Sequence, residues 1–233
     1  MNLSENRLVN IMLRFPRMIR KRDFYTPYQV HYPLKTLGNK DAAWTVIPKL
    51  MPAKPIVYSV GVGLDISFDL EMIEEFDAQV FAFDPTPKSI NWLATQPLPD
   101  TFTFHPLALA HYNGEAEFFP PENPEHVSAT LLNRMATASQ SYTVQVRTLQ
   151  SLMQMLGHKH IDVLKLDIEG AEYLWLDNIG ESLPASFLLI EFHHRFADMG
   201  LHKTKQAVNK IQSLGYKLAF VSAIGEEYTF VKV

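Results

Sequence analysis

From Ile56 onward, short apolar runs alternate with stretches of helical periodicity, and that alternation leaves few architectures other than a parallel sheet with helices on both faces. Strands are expected at Ile56–Val60, Gln79–Phe83, residues 101–105, Ile161–Leu166, residues 187–190, Tyr216–Val221 and residues 228–233. Between them, Ser67–Phe76 carries Phe68, Met72, Ile73 and Phe76 on one side and Glu71, Glu74 and Glu75 on the other, which predicts an amphipathic helix. Further helices are expected over residues 89–94, Leu149–Leu156 and residues 203–214. Residues 115–119 have hairpin character and residues 142–146 alternate like an edge strand. The last two strands share a short connector containing Gly225, so they should pair antiparallel. The fold class is therefore α/β and Rossmann-like: a mostly parallel seven-stranded sheet closed by a C-terminal antiparallel hairpin.

A chain of 233 residues with 47% hydrophobic content builds one main core, assigned to residues 56–233. Residues 1–55 read as a basic helical extension and a lead-in. Leu8, Ile11, Met12, Phe15 and Ile19 recur at helical spacing, with Pro16 expected to kink or divide the helix. A helix packed on the domain, a membrane-surface helix and a partner-binding arm are all compatible with that spacing. Six basic side chains against Glu5 make residues 1–22 +5, which leaves −9 on the remainder of a chain of net charge −4. A basic arm suits an acidic partner or a membrane surface, whereas the acidic remainder argues against a nucleic-acid-binding body. Prolines 27, 33, 48, 52 and 55 make the lead-in turn-rich, with a short helix expected near Trp44.

No apolar stretch approaches the roughly 20 residues of a transmembrane helix. The N-terminus lacks the apolar core and cleavage site of a secretory signal. The absence of cysteine excludes disulfides and thiolate metal sites. A cytoplasmic location is the expectation.

The first expected strand ends on Gly61-Val62-Gly63, and a helix follows. Such a turn lets the backbone approach an adenosyl ligand closely, in the crevice at the strand's carboxyl end. Asp84, about 20 residues on at the end of the second strand, is placed to accept two ribose hydroxyls. Nicotinamide cofactors and S-adenosylmethionine (SAM) share this arrangement. SAM is favoured because the third glycine that packs around a pyrophosphate is missing and because Asp65 would repel a diphosphate yet suit a methionine ammonium. The expected terminal hairpin is also how methyltransferase sheets end.

These segments resemble the FkbM-type methyltransferase family. The similarity lies in residues 57–63 with residues 65–69, in Phe83-Asp84-Pro85-Thr86-Pro87 with Ser89, in residues 164–172 with their Asp167-Ile168-Glu169-Gly170-Ala171-Glu172 run, and in residues 189–193. The resemblance runs from about Trp44 to the C-terminus. It implies SAM as cofactor, held at Gly61, Gly63, Asp65, Asp84, Pro85, Thr86 and Asp167. It also implies methyl transfer, commonly to a hydroxyl of a sugar, glycan or other small molecule.

A hydroxyl acceptor must lose a proton, so a base or a Lewis-acid metal is needed near the strand ends. His193, Asp167 and Glu191 are the candidates there, with His193 the first choice as base because an imidazole titrates near neutrality. Asp167 and Glu191 together could hold Mg²⁺. Glu169 is a further candidate, or a cap for the helix that follows with Gly170 as its turn, and His194 falls at the same edge. Tyr25, Tyr28, His31, Tyr32, His126, Ser128, Thr130 and Arg134 could line an acceptor pocket, the last four in a long loop over residues 120–139. A nicotinamide-dependent oxidoreductase and a non-catalytic binding module with the same fold are the alternatives.

Overall fold

The computed structural model describes residues 5–119, 141–196 and 199–233. An N-terminal helix α1 (Arg7–Ile19) leads to a hairpin of β1 (Lys35–Leu37) and β2 (Trp44–Val46) and a single 3-10 turn at Pro48–Leu50. The main domain then runs β3 (Ile56–Val60), α2 (Ser67–Phe76), β4 (Gln79–Phe83), α3 (Pro87–Leu93), β5 (Phe102–His105), β6 (Ala108–Leu109), β7 (Gly114–Phe118), β8 (Tyr142–Arg147), α4 (Leu149–Leu156), β9 (Ile161–Leu166), α5 (Glu172–Asn178), β10 (Ala185–Glu191), α6 (Leu201–Ser213), β11 (Tyr216–Val221) and β12 (Glu227–Lys232).

Seven strands form the expected sheet, in the order β11-β12-β10-β9-β3-β4-β5. Those from β5 to β10 run parallel, and β12 lies antiparallel between β10 and β11. The chain enters at the middle, builds outward through β4 and β5, then returns to add β9 on the other side of β3. That reversal opens a crevice at the carboxyl ends of β3 and β9.

Apolar runs form the central strands because both faces are covered. In β10, Leu188 and Ile190 join Leu164 and Leu166 of β9 beneath α4, α5 and α6, while Phe187 and Leu189 join Val163 beneath α2 and the β1–β2 hairpin. Trp44 is thus a strand residue, buried in the core, where a short helix was expected. The three-residue strands of this hairpin are held by pairing and by packing on α2, which a proline-rich local sequence does not advertise. A second sheet has the order β6-β8-β7. In it β8 is the central strand, paired with partners on both sides, and not the edge strand its alternation suggested.

Helix α1 is continuous through Pro16. Pro16 is exposed, as is Met12 four residues earlier, whose carbonyl is the one that loses its helical partner. The helix docks by its polar face. Arg7 Nε donates to the Ala219 carbonyl at 2.8 Å, Asn10 Nδ2 to Val221 at 3.4 Å, and Arg17 to Ala223. These carbonyls belong to edge strand β11 and the connector beyond it, so α1 covers a sheet edge that would otherwise present unpaired groups. Arg14 completes the contact, with Nε and Nη2 each 2.8 Å from the carboxylate of Asp23, both side chains buried. Asp23→Ala leaves the Arg14 guanidinium buried without its counter-charge, and chemical denaturation should show a loss of about 3–5 kcal/mol. A loss under about 1 kcal/mol would mean that the pair does not hold α1 in place.

Candidate active site

A cavity of about 430 Å³, a size suited to a small-molecule ligand, opens at the crevice between β3 and β9. Its floor is the glycine turn. Gly61 adopts φ +80°, and a Cβ there would lie 1.7 Å from the Asp167 carbonyl oxygen. Only glycine lets the exits of β3 and β9 lie this close. The turn is tied on both sides, since Gly61 N donates to the Phe83 carbonyl and Lys165 Nζ donates to the Gly61 carbonyl at 2.6 Å. Gly63, φ +61°, has open space where a Cβ would sit and lines the cavity.

Asp84 closes the turn from β4. Its Oδ2 accepts from Val62 N (3.1 Å) and Gly63 N (2.9 Å), and its Oδ1 from the amide (2.8 Å) and hydroxyl (2.7 Å) of Thr86. Four protein donors therefore occupy a carboxylate expected to face ribose hydroxyls. A ribose can take those places only if the Val62 and Gly63 amides yield them. Thr86 also caps α3, with Pro87 at its first turn. Asp65 accepts from Ser67 N at 2.7 Å and Asn39 Nδ2 at 3.0 Å. Burial opposes its charge, yet these bonds prevail and hold its pKa below the ordinary value. Asp65, Asp84, Pro85 and Thr86 all line the cavity.

Acids converge on the opposite wall. Asp167 and Glu169 follow β9, Glu191 ends β10, and all three line the cavity, with His193 set behind them. His193 Nε2 lies 3.4 Å from Glu169, 3.6 Å from Asp167 and 3.9 Å from Glu191. Its Nδ1 lies 3.1 Å from Glu172 Oε1, which also accepts from the His193 amide at 3.0 Å, while Glu172 Oε2 accepts from Gly170 N at 2.8 Å. Burial works against an imidazolium, but the Glu172 hydrogen bond and the surrounding carboxylates outweigh it and raise the His193 pKa to about 10. Protonated at neutral pH, His193 has no lone pair to offer as a base. Burial, then the charge of Asp167, pushes the Glu191 carboxyl up to about 9, and burial raises Asp167 as well. His194 is buried outside the cavity lining, and burial lowers its pKa.

Glu169 sits at φ +55°, a conformation that costs a residue with a Cβ roughly 1–2 kcal/mol. Its carboxylate faces His193, and the residue at the N-cap of α5, Ala171, makes no side-chain capping bond. Strain of this kind at a cavity wall accompanies function in many proteins. One ligand atom each from Asp167, Glu169 and His193 fall within 4.8 Å of one another. Among the described residues this is the grouping that could hold a divalent ion, and it differs from the expected Asp167–Glu191 pair in two of its members.

Three groups escaped sequence reasoning as site residues. Lys165 interrupts an otherwise apolar strand, and that interruption was its signal. Its buried ammonium contacts the Gly61 carbonyl and lies 5.5 Å from the Trp44 ring. Asp69, fully buried in the first turn of α2, also lines the cavity, and burial pushes its carboxyl up to about 6 although Lys165 pulls it back. Glu172 carried no signal beyond the family run. Because the folded state holds the Asp69 proton more tightly than the unfolded chain, this group costs stability increasingly between about pH 4 and pH 6, and fully above that. Asp69→Asn should therefore gain on the parent by on the order of 2–3 kcal/mol between pH 4 and pH 7 in urea titrations. A pH-independent difference would contradict this.

Among the described residues, Tyr25, Tyr28, His31 and Tyr32 do not line the cavity, and Tyr28 packs near α1, its ring 5.6 Å from the Arg7 guanidinium. The acceptor-pocket candidates His126, Ser128, Thr130 and Arg134 lie outside the described residues. The second sheet contributes Ala108, Leu109 and Phe118 as an apolar wall.

Two buried carboxylate oxygens in this lining, Asp69 Oδ1 and Asp167 Oδ1, accept no hydrogen bond. Together with the bare backbone at Gly63, they fit a ligand that brings positive charge and donors, as SAM does. The chain is 31% identical over 124 residues to "Probable methyltransferase-like protein 24" of Homo sapiens, an alignment covering 53% of this chain and 27% of that protein, so it spans about a quarter of that relative's length. A crystal structure of Aeropyrum pernix fibrillarin in complex with natively bound S-adenosyl-L-methionine is similar at a TM-score of 0.43 and 8% identity, over 89% of this chain and 85% of that one. The family model of the methyltransferase FkbM domain matches residues 65–218, which take in Asp65, Asp84, the Asp167 to Glu172 run, Glu191 and His193. The chain belongs to the FkbM methyltransferase domain family.

Proposed function

We propose that this protein is a SAM-dependent O-methyltransferase acting on a hydroxyl of a sugar, glycan or other neutral small molecule, with Glu191 as the group that receives the hydroxyl proton. The observation that carries this reading is the wall of strand-end carboxylates facing a glycine turn across one cavity, with two unsatisfied oxygens in the lining, one on Asp167 of that wall and one on Asp69 of α2. Bound SAM supplies a methyl group already activated on a sulfonium, whose S–C bond breaks as the acceptor's O–C bond forms. Gly61 and Gly63 provide the close backbone approach, and Asp84 exchanges its turn amides for the ribose hydroxyls. Asp65, Asp69 and Asp167 favour a cationic ligand over a diphosphate, which weighs against a nicotinamide cofactor. The same wall disfavours phosphate-bearing acceptors, nucleic acids included. His193, held as an imidazolium by Glu172, fixes the positions of Asp167, Glu169 and Glu191. Crowding makes Glu191 a stronger base than an ordinary carboxylate, and a cation in the cavity lowers its proton affinity toward neutrality.

Calorimetric titration with S-adenosylhomocysteine and with NADH tests the cofactor, and labelled SAM in cell extract, with mass spectrometry of the product, tests the transfer. Binding of the first ligand and a methylated hydroxyl are expected. NADH binding without S-adenosylhomocysteine binding would establish the oxidoreductase alternative. Cofactor binding with no transfer in a broad acceptor screen would leave a binding module.

A metal-assisted reading has one specific observation in its favour. The Asp167, Glu169 and His193 ligand atoms converge while Glu172 orients the far nitrogen of His193, the arrangement common around metal-bound histidines. Exhaustive chelation separates the two readings: activity should survive it, and loss restored by Mg²⁺ or Mn²⁺ would assign the acceptor's activation to an ion.

A further inference from the structure

Helix α1 is amphipathic in the reverse sense. Its polar face, Arg7, Asn10, Arg14 and Arg17, is the one bound to the domain. The apolar residues at i, i+4, i+7 and i+11 point outward: Leu8, Met12, Phe15 and Ile19 are 72%, 73%, 58% and 66% exposed. We propose that this stripe is a membrane-surface docking element that seats on anionic lipid.

The charge pattern selects the occupant. Immediately beyond the helix, Arg20, Lys21 and Arg22 are all exposed, a contiguous cationic cluster at the end of the apolar stripe on an otherwise acidic protein. An interfacial helix inserts an apolar face about 5–10 Å and is strengthened by cations near anionic headgroups. Area argues against a second copy of the chain. A helix of 13 residues presents a footprint of about 20 by 10 Å, roughly 200 Å², against the roughly 800 Å² per partner of a stable interface.

The helix is also pre-organised. Carbonyls of β11 and its connector hold its inner face, and the buried Arg14–Asp23 pair pins its last turns, so seating on a bilayer requires no folding of the arm. Arg17 bonds Ala223 in the β11–β12 connector, and Glu227, two residues past Gly225 in that connector, lines the cavity. The cationic end of α1 is therefore at the same edge of the sheet as the active site, and docking would hold the site next to the lipid headgroups.

Sedimentation of the full chain with vesicles of phosphatidylcholine, alone or mixed with phosphatidylglycerol, reads this directly. Binding to the mixed vesicles is expected, weakening with salt and by about fivefold for each cation removed in Arg20→Ala/Lys21→Ala/Arg22→Ala. Met12→Glu/Phe15→Glu should reduce binding at least tenfold with an unchanged circular dichroism spectrum and melting temperature, because both side chains face solvent. The proposal is overturned if the intact chain stays in the supernatant with both vesicle types or if Met12→Glu/Phe15→Glu binds as the parent does. It is equally overturned if light scattering shows a dimer that this double variant dissolves and no vesicle binding by the parent, which would assign the stripe to a second copy.

Discussion

Gly61→Ala is expected to cost at least about 4 kcal/mol, a large part of the roughly 5–15 kcal/mol that holds a domain together. The added Cβ would sit 1.7 Å from the Asp167 carbonyl oxygen, a backbone atom that cannot rotate away. Relief requires β3 and β9, neighbours in the middle of the sheet, to separate at their carboxyl ends. The φ of +80° adds a smaller penalty. In a chain of this size, thermal unfolding should shift down by about 8–16 °C. Gly63→Ala is the control: its Cβ enters open space, so only the backbone term of about 1–2 kcal/mol remains and the fold survives. Because Gly63 lines the cavity, S-adenosylhomocysteine affinity should fall in the Gly63 variant even so. Equal stability of the two variants would show that the turn does not depend on the Gly61–Asp167 contact.

The contrast between these two glycines was not visible in the sequence, where Gly61-Val62-Gly63 is a symmetric pair. What separates them is Asp167, more than 100 residues away. The same distinction runs through the fold. Strands β3, β4 and β9 were legible because burial on both faces writes itself into consecutive apolar residues. The partners of β8 were not, since alternation records one wet face and is silent on neighbours. For α1, periodicity disclosed two faces without saying which one docks. The answer depended on carbonyls of β11 that only the assembled sheet brings to the helix. Trp44 lay among prolines whose local message is turn, and long-range pairing made it a strand.

The site was legible by position and not by protonation. Asp167, Glu191 and His193 were readable as strand-end groups, and the structure brings them together. The charge on His193 depends on Glu172, Asp167 and Glu169 closing around it from the neighbouring strand end and helix. A motif read one residue at a time gives each group its ordinary pKa, whereas clustering moves the imidazole and the carboxyl of Glu191 both upward. Proton acceptance consequently passes from the histidine to a carboxylate.

Glu191→Gln should accordingly lower the rate of methyl transfer by about 10²–10⁴-fold, the range for removal of a general base. The amide keeps the size of the side chain and cannot take a proton, so S-adenosylhomocysteine affinity should change little and the loss should appear in kcat. In the parent the free enzyme must ionise Glu191, whose pKa is raised to about 9, so kcat/KM should climb with pH through the neutral range and level off near that value. The variant should lose this limb. His193→Gln tests the division of labour, because a positioning imidazolium supplies no titrating base. Its activity should fall while the pH dependence due to Glu191 persists at a still higher pKa, because the carboxylates have lost the cation that favours their ionisation. If that pKa instead falls, relief of carboxylate crowding outweighs the lost charge and His193 acts chiefly by holding the acids together; a rate limb that vanishes in His193→Gln and survives in Glu191→Gln would return the base to the histidine.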